Sequence, residues 1–331
     1  MRTRGIVALV SSAVVALGAS LGCDPKPAVI EYYPLSHEST ALPAERQAEI
    51  KSALDETFGT PIAPKVPENS VVKGDRLVTA AADYRRLCLH CHGFSGDGAG
   101  PTAAFLQPRP RDYRAGTFKF TTTAPGVKPT HADLLHTLQK GVMYTSMPSF
   151  ALLAKETLDG LVDYVIFLAM RGEFERMLVA EYSNDPESWD AASARESNLD
   201  VVVSRWAETA DSVVAPTVKP PPDLEASIAR GREKYLDKNL QCLSCHGDTG
   251  RGDGPGTDVL KDNWGQKIVP ADLTKGIYRG GSTPKDLWLR IYSGVKGTPM
   301  PAFKDALTPE QIWDVVNYVR SLARPSAVTA E

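Results

Sequence analysis

The sequence predicts an all-α protein built from two tandem copies of one domain. Two five-residue strings, CLHCH at 88–92 and CLSCH at 242–246, hold four of the five cysteines in the chain. A longer string, GVMYTSMPSF at 141–150, aligns without a gap with GVKGTPMPAF at 294–303. The offset between the copies is 154 residues for the cysteine strings and 153 residues for the longer strings. The duplicated unit is therefore a whole domain.

Each copy shows the pattern of the same helices in the same order. A helix-like run precedes each cysteine string, at 75–87 and at 224–236. The segments 130–141 and 283–294 each begin with a threonine that is followed three residues later by an aspartate. This spacing is typical of a helix-capping box, and the glycine that ends each segment suits a left-handed position after the helix.

Each copy also ends with an apolar helix. In the second copy Thr308 is the expected N-cap, Pro309 the first helical residue and Gln311 the residue that closes the capping box. Apolar residues line one face of this helix at Ile312, Val315, Val316, Val319 and Leu322, and one face of its counterpart at Leu158, Leu161, Val162, Val165 and Leu168. No convincing strand pattern interrupts these helices, which keeps the predicted class all-α.

The cysteine strings allow three chemical interpretations. A Cys-x-x-Cys pair can form a redox disulfide, half of a zinc site or an attachment site for c-type haem. A zinc site needs four ligands, so the two pairs would have to converge or recruit distant histidines. A thioredoxin-like motif needs a preceding strand and gives no role to the histidine. The histidine directly after each second cysteine favours covalent haem, because the short turn leaves that side chain under the iron.

Two haem c groups are therefore the predicted cofactors, one for each copy. The residues predicted to attach them are Cys88, Cys91, Cys242 and Cys245, and the predicted axial histidines are His92 and His246. No catalytic residue is predicted.

Two methionines are the candidates for the other axial position of each iron. Met147 and Met300 lie 55 and 54 residues after their histidines, at the same place in the repeat. Each precedes a proline, which ends a helix and stiffens the backbone that presents the sulfur. Core packing is the alternative role for a methionine, but both residues fall in a turn. A thioether ligand favours ferrous iron and so raises the reduction potential.

Other potential ligands lack a partner in the second copy. Met143 aligns with Lys296, so it does not belong to the shared pattern. His131 and His136 align with residues that are not histidines, and we expect them to be packed or on a helix surface. His90 lies inside the attachment turn and is expected to point elsewhere.

The N-terminal 22 residues predict an export signal. Arg2 and Arg4 precede an uncharged stretch at 5–22, whose 18 residues are marginal for a membrane span, which usually needs about 20. Cys23 is the odd cysteine, and the segment 20–23 resembles a bacterial lipoprotein cleavage box. The sequence therefore predicts lipidation of Cys23, with ordinary cleavage nearby or an uncleaved anchor as the alternatives.

Composition and local patterns suggest the domain limits. Residues 24–70 hold seven prolines and little periodicity, and residues 171–211 carry ten acids and four bases. The predicted division is a signal peptide at 1–22, an extended tether at 23–73, a first domain at 74–170, an acidic helical insertion with a proline-rich linker at 171–223, a second domain at 224–324 and a tail at 325–331. The net charge of −3 does not indicate a general affinity for nucleic acid.

These residues together resemble class I cytochrome c domains. The resemblance rests on CxxCH followed by glycine, on Gly-x-x-x-Thr-x-Met-Pro-x-Phe and on tyrosines in the helices that open and close each copy. It covers about 74–170 and 224–324 and implies two small helical domains, each around one covalent haem. The contact between first and last helix is expected to use Tyr84 and Tyr164 in the first copy and Gly231, Tyr235 and Tyr318 in the second.

The leading hypothesis for function is an electron carrier. Iron with two axial protein ligands has no open site, so the haem changes oxidation state without binding a substrate. Redox donor and acceptor proteins are the expected partners, with the chain exported to the periplasmic side of a bacterial membrane. One alternative is an enzyme similar to dihaem peroxidases, which needs one iron with a vacant site. Another is a fixed subunit of a respiratory complex, for which a lipid anchor would provide attachment.

Overall fold

A computed structural model describes residues 32–323 and confirms a mostly helical fold. The α-helices of this range are α1 (His37–Thr40), α2 (Ala44–Phe58), α3 (Leu77–Leu87), α4 (Leu89–His92), α5 (His131–Lys140), α6 (Lys155–Asn184), α7 (Ala191–Ala207), α8 (Leu224–Leu236), α9 (Cys242–His246), α10 (Pro284–Ser293) and α11 (Pro309–Leu322). A short antiparallel hairpin pairs β1 (Gly59–Thr60) with β2 (Ala63–Pro64). The predicted export signal, Cys23 and the tail at 325–331 lie outside the described residues.

The two copies share one arrangement, in which the first helix of the domain packs on the last. In the first domain α3 packs on α6, and in the second α8 packs on α11. A pair of tyrosine rings lies in each contact, with centroids 5.1 Å apart for Tyr84 and Tyr164 and 5.2 Å apart for Tyr235 and Tyr318. The tyrosine pairs expected from the sequence are therefore present in both domains, and separate hydrophobic cores surround them.

The capping boxes predicted from the sequence are all formed. The Thr130 side chain accepts from the Asp133 backbone, and the Asp133 carboxylate accepts from the Thr130 backbone, at 3.1 and 2.9 Å. The same reciprocal pair begins α10 and α11, where a proline also occupies the first turn. These caps satisfy backbone N–H groups that have no partner inside the helix, so the sequence defines where each helix begins.

The two helix contacts use a small residue on opposite partners. In the second domain Gly231 of α8 lies against α11, and a Cβ atom there would be 2.0 Å from the Asp314 carbonyl oxygen. In the first domain the glycine is on the other helix, since Gly160 of α6 faces Ala80 of α3. Each pair of helices thus approaches closely, and only the second contact excludes any side chain at its glycine.

Within residues 32–73 the structure corrects the extended tether predicted at 23–73. Residues 44–58 form the helix α2, which packs on α6 and α7. Ile50, Leu54 and Phe58 are fully buried in the core of the first domain. Their spacing of four residues is a helical period, which the frequent prolines on either side had obscured.

The segment after the first domain also joins its core. Helix α6 continues without a break through the predicted boundary at 170/171, and its residues up to Leu178 include many that are buried. The predicted insertion contains α7, in which Val202 and Trp206 are buried in the same core. The Glu175 carboxylate is buried. It accepts hydrogen bonds from the Ser39 hydroxyl and from the Ser36 backbone N–H, each at 2.6 Å. Helices α2 and α7 therefore form a helical addition to the first domain.

A segment of the first domain docks on the second. This docking segment, residues 117–128, lies on α10 and on the loop that follows it. The Arg290 guanidinium donates to the Lys119 carbonyl oxygen at 3.3 Å, and Lys296 Nζ donates to the Thr123 hydroxyl at 2.9 Å. Buried polar contacts of this kind fix the orientation of two surfaces more than they add stability. No helix of residues 32–323 is long and apolar enough to cross a membrane.

The two glycines give a matched pair of substitutions. Gly231→Ala is expected to lower the free energy of unfolding by about 1–3 kcal/mol, because the added methyl group must displace a backbone carbonyl. Gly160→Ala is the control, since its Cβ would lie 3.4 Å from the Ala80 side chain, an ordinary contact, and alanine is the better helix former. Denaturant unfolding of both variants measures the difference. Equal effects would contradict the close approach at Gly231.

Candidate haem sites

The two cysteine strings form the same short helical turn. In the first domain Cys88 precedes α4 and the His92 N–H donates to the Cys88 carbonyl oxygen at 2.9 Å. In the second domain the turn is α9, Cys242–His246. The glycine that ends each turn, Gly93 or Gly247, has φ near +75°, so the chain reverses directly after the histidine.

Each turn is tied to the helix contact by a tyrosine hydroxyl. The Tyr84 hydroxyl donates to the Gly93 carbonyl oxygen at 2.9 Å, and the Tyr235 hydroxyl donates to the Gly247 carbonyl oxygen at 2.6 Å. The second domain has three more residues between its tyrosine and its first cysteine, yet the same bond forms because α8 ends at Leu236 and a loop takes up the difference. The position of the histidine therefore depends on the tyrosine pair.

The histidines are oriented by backbone carbonyl groups. His92 Nδ1 lies 3.2 Å from the Arg111 carbonyl oxygen, and His246 Nδ1 lies 3.2 Å from the Ala271 carbonyl oxygen. An Nδ1–H group that donates to a carbonyl leaves the lone pair on Nε2, which is the arrangement of metal-binding histidines. Tyr113 stacks on His92 with 4.8 Å between ring centroids and restricts its rotation.

Burial keeps both imidazoles neutral. It lowers the pKa of His92 to about 4 and also lowers the pKa of His246. A neutral imidazole is the form that binds iron, so the protonation state needed for ligation is already favoured near pH 7. The histidine environment thus fits the iron of a c-type haem.

The first cysteine of each pair does not have the environment of a redox-active thiol. None of Cys88, Cys91, Cys242 and Cys245 is disulfide-bonded. Burial raises the pKa of Cys88 to about 12 and that of Cys242 to about 11. Thioredoxin-like chemistry needs a lowered thiol pKa, so these environments argue against it. Zinc needs four ligands together, and within residues 32–323 no group of three or more His, Cys, Asp and Glu side chains could hold a metal ion.

The two methionine-bearing strings form loops of the same shape. Each loop begins at a glycine with positive φ, 66° at Gly141 and 71° at Gly294. A Cβ atom on Gly141 would lie 2.7 Å from the Met147 carbonyl oxygen, and one on Gly294 would lie 2.8 Å from the Met300 carbonyl oxygen. The loop backbone therefore folds directly onto the glycine, for which any other residue is too large.

A threonine hydroxyl closes each loop from inside. The Thr145 hydroxyl donates to the Val142 carbonyl oxygen at 2.7 Å and accepts from the Met147 N–H at 3.1 Å. In the second domain the Thr298 hydroxyl makes the same two contacts, with the Val295 carbonyl oxygen at 2.7 Å and the Met300 N–H at 3.3 Å. The shared glycine, threonine and methionine therefore form one hydrogen-bonded unit.

The candidate ligands differ in their surroundings. Met147 is partly buried and packs against the core that contains Cys88, whereas the Met143 side chain is 51% exposed. His131 Nε2 lies 3.6 Å from an Asp163 carboxylate oxygen. The other three histidines, apart from His92 and His246, are exposed: His37, His90 and His136.

Comparison with known proteins assigns both halves of the chain. A family model described as cytochrome c matches residues 228–323, and one described as cytochrome C oxidase, cbb3-type, subunit III matches residues 75–165. A chain of the solved Kuenenia stuttgartiensis reducing HAO-like protein complex Kustc0457/Kustc0458 is 29% identical, with a TM-score of 0.59. That match covers 74% of this chain and 96% of the other. No curated protein gives a significant match.

The chain therefore carries two cytochrome c domains in tandem, the architecture of a dihaem c-type cytochrome. Such domains imply c-type haems and haem-based electron transfer. The region matched at 228–323 begins within α8 and ends after α11, so it includes Gly231, Tyr235 and Tyr318 of the helix contact.

Sequence reasoning did not find the residues that orient the histidines. The acceptor carbonyl lies 19 residues after His92 but 25 residues after His246, so the two do not align at the offset of the repeat. A carbonyl oxygen also carries no side-chain signal. Tyr113 has no counterpart signal in the sequence beyond being an aromatic residue two positions after Arg111.

The threonine hydroxyls provide a direct test of the loop structure. Thr145→Val and Thr298→Val should each lower the free energy of unfolding by about 0.5–1.5 kcal/mol, because one loop N–H loses its acceptor and one carbonyl loses a donor. Denaturant unfolding with the haem attached measures the loss. Thr145→Ser and Thr298→Ser keep the hydroxyl and should retain most of the stability. Valine variants as stable as the serine variants would show that the hydroxyls do not hold the loops.

Proposed function

We propose that this protein relays single electrons through two c-type haems, each with a histidine and a methionine as axial ligands. The observation that carries the proposal is the duplicated loop, in which glycine, threonine and methionine make the same contacts in both domains. An open iron in one domain would favour two different loops. Equivalent loops support two equally closed irons.

The residues of the chain have separate roles in this proposal. Cys88 and Cys91 hold the first haem covalently, and Cys242 and Cys245 hold the second. The neutral imidazoles of His92 and His246 would bind iron through Nε2, and Met147 and Met300 would supply the other protein ligands. When bound, each haem supplies a one-electron couple between ferric and ferrous iron. The partial burial of the histidines reduces solvent around that couple, and the sulfur ligand would favour its reduced form.

An enzyme similar to dihaem peroxidases is the alternative. It needs one iron whose second axial position is vacant or can be released. The equal hydrogen-bond networks of Thr145 and Thr298 favour the carrier, because neither loop lacks the contacts that hold its methionine.

The location and the partners belong to the same proposal. Haem attachment and the leader at 1–22 support export to the periplasmic side, with lipidated Cys23 as the anchor to the membrane. Redox proteins are the expected donor and acceptor, and the similar solved chain comes from a protein complex. The proposed limits are 224–324 for the second domain and, for the first, residue 74 to the end of α6 at Asn184, with helices α2 and α7 added.

Methionine substitutions test the proposed ligands. Met147→Ala and Met300→Ala should each remove about half of the ferric absorption that arises from methionine ligation, because each opens one of two equivalent irons. Each should also lower the reduction potential of one haem, since the soft ligand is lost. Absorption spectroscopy and a redox titration measure both effects.

Met143→Ala is the matched control, because Met143 lies in the same loop with an exposed side chain. It should change neither absorption nor potential. If Met143→Ala removed the signal of the first haem and Met147→Ala did not, the assignment of the first ligand would be wrong. If neither Met147→Ala nor Met300→Ala changed the coordination, the proposal of two closed irons would fail.

A further inference from the structure

The second domain has a hairpin that the first domain lacks. From His92 to the carbonyl that orients it the chain runs 19 residues, but from His246 it runs 25. The additional residues fall in a hairpin at 260–268, here called the Trp264 hairpin. In it Lys261 pairs with Lys267, and the Ile268 N–H donates to the Leu260 carbonyl oxygen at 3.1 Å.

The Trp264 hairpin is held in shape by one carboxylate. Asp262 Oδ1 accepts from the backbone N–H of Trp264 at 3.1 Å and from the backbone N–H of Gln266 at 3.0 Å. The Asp262 N–H donates to the Gln266 carbonyl oxygen at 2.9 Å, and Gly265 follows the tryptophan with φ of 75°. The indole is therefore presented by a fixed turn.

The indole touches both haem sites through their supporting residues. The Arg111 guanidinium carbon lies 3.7 Å from the centroid of the Trp264 ring, well within the range of a cation–π contact. A Cβ atom on Gly297 would lie 2.6 Å from the ring, so the indole packs directly on the second methionine loop. The Asn263 N–H also donates to the Gly297 carbonyl oxygen at 3.1 Å, which fixes the hairpin to that loop.

These contacts form a continuous path between the two sites. Arg111 accepts from His92 through its carbonyl oxygen and contacts Trp264 through its guanidinium. The indole continues the path to Gly297, three residues before Met300 in the same loop. The Val295 N–H donates to the Met300 carbonyl oxygen at 3.1 Å and closes that loop.

We infer that Arg111 and Trp264 form a bridge through which single electrons pass between the two haem sites. The inference rests on the proposed function, since it requires a haem in each domain. In the step, one electron leaves the reduced site and enters the oxidised site, so one iron is oxidised and the other reduced. No bond forms or breaks and no proton moves. Arg111 and Trp264 are positioning residues, because they act through His92 and the second methionine loop.

The residue of the first methionine loop that corresponds to Gly297 is exposed to solvent. Tyr144 aligns with Gly297 and has an exposed side chain at φ of 56°, a conformation in which glycine is the usual residue. The indole contact is therefore made at one loop of the two. The path therefore joins the histidine side of the first site to the methionine side of the second.

The test compares variants of full-length protein with both haems attached. The oxidised protein is reduced rapidly by less than one electron per chain, and freeze-quench electron paramagnetic resonance follows how the remaining ferric signals redistribute between the sites. Trp264→Leu should slow the redistribution several-fold, and Arg111→Gln should slow it as well. Trp264→Phe, which keeps an aromatic ring, should restore much of the rate.

Arg290→Gln is the matched control. It removes contacts to the Lys119 and Thr121 carbonyl groups in the same docking region without touching the Trp264 ring, and it should leave the rate unchanged. Thermal unfolding of each variant checks that the domains stay folded. Redistribution as fast in Trp264→Leu as in the unchanged protein would overturn the bridge. An equal slowing by Arg290→Gln would also overturn it, because general docking would then be the cause.

Failure of the proposed function gives a different result. In that case the unchanged protein itself would lack two covalent haems or would not accept single electrons at both of them, and the bridge would fall with it. Two intact one-electron sites with a rate that depends on neither Trp264 nor Arg111 would overturn the bridge alone.

Discussion

The packing of the first helix on the last is the contact on which each domain depends. The tyrosine pair packs between the two helices. One tyrosine of each pair, Tyr84 or Tyr235, also donates a hydrogen bond to the carbonyl group of the glycine that follows the attachment histidine. The hydrogen bond sets the position of the histidine relative to the helices. The methionine loop is then placed independently, because it follows a helix with its own capping box and folds onto its own glycine. Two separate supports thus define the two sides of each site.

The two domains differ in sequence and in added elements, but both keep the helix contact and the methionine loop. The close approach of the helices uses Gly231 on one partner and Gly160 on the other, so the contact is kept while the residues change. The first domain gained α2 and α7, which enlarge its core. The second gained the Trp264 hairpin, which contacts the first domain through Arg111. The additions lie around the sites and leave the hydrogen bonds within the two methionine loops equivalent.

The sequence predicts most of what repeats and little of what does not. Capping boxes and the glycines at 141 and 294 are local signals, whereas the tyrosine pairs were implied by the family resemblance, and the structure contains them all. Helix α2 was predicted as extended chain because seven nearby prolines masked three buried apolar residues at helical spacing. The carbonyl groups of Arg111 and Ala271 could not be predicted, since any residue supplies a carbonyl and only the fold brings it to a histidine. Trp264 lacks a counterpart in the first copy, so the repeat gave no reason to select it.

Carbon monoxide binding to the fully reduced, unchanged protein tests the central claim, that both irons are closed by equivalent loops. Carbon monoxide needs an open axial position on ferrous haem, and in the proposed ligation Met147 and Met300 fill that position in both domains. The account predicts that the absorption spectrum of the reduced protein does not change when carbon monoxide is added at neutral pH. Binding to half of the haem would contradict it, because one domain would then hold an iron suited to catalysis and the carrier function would give way to an enzyme.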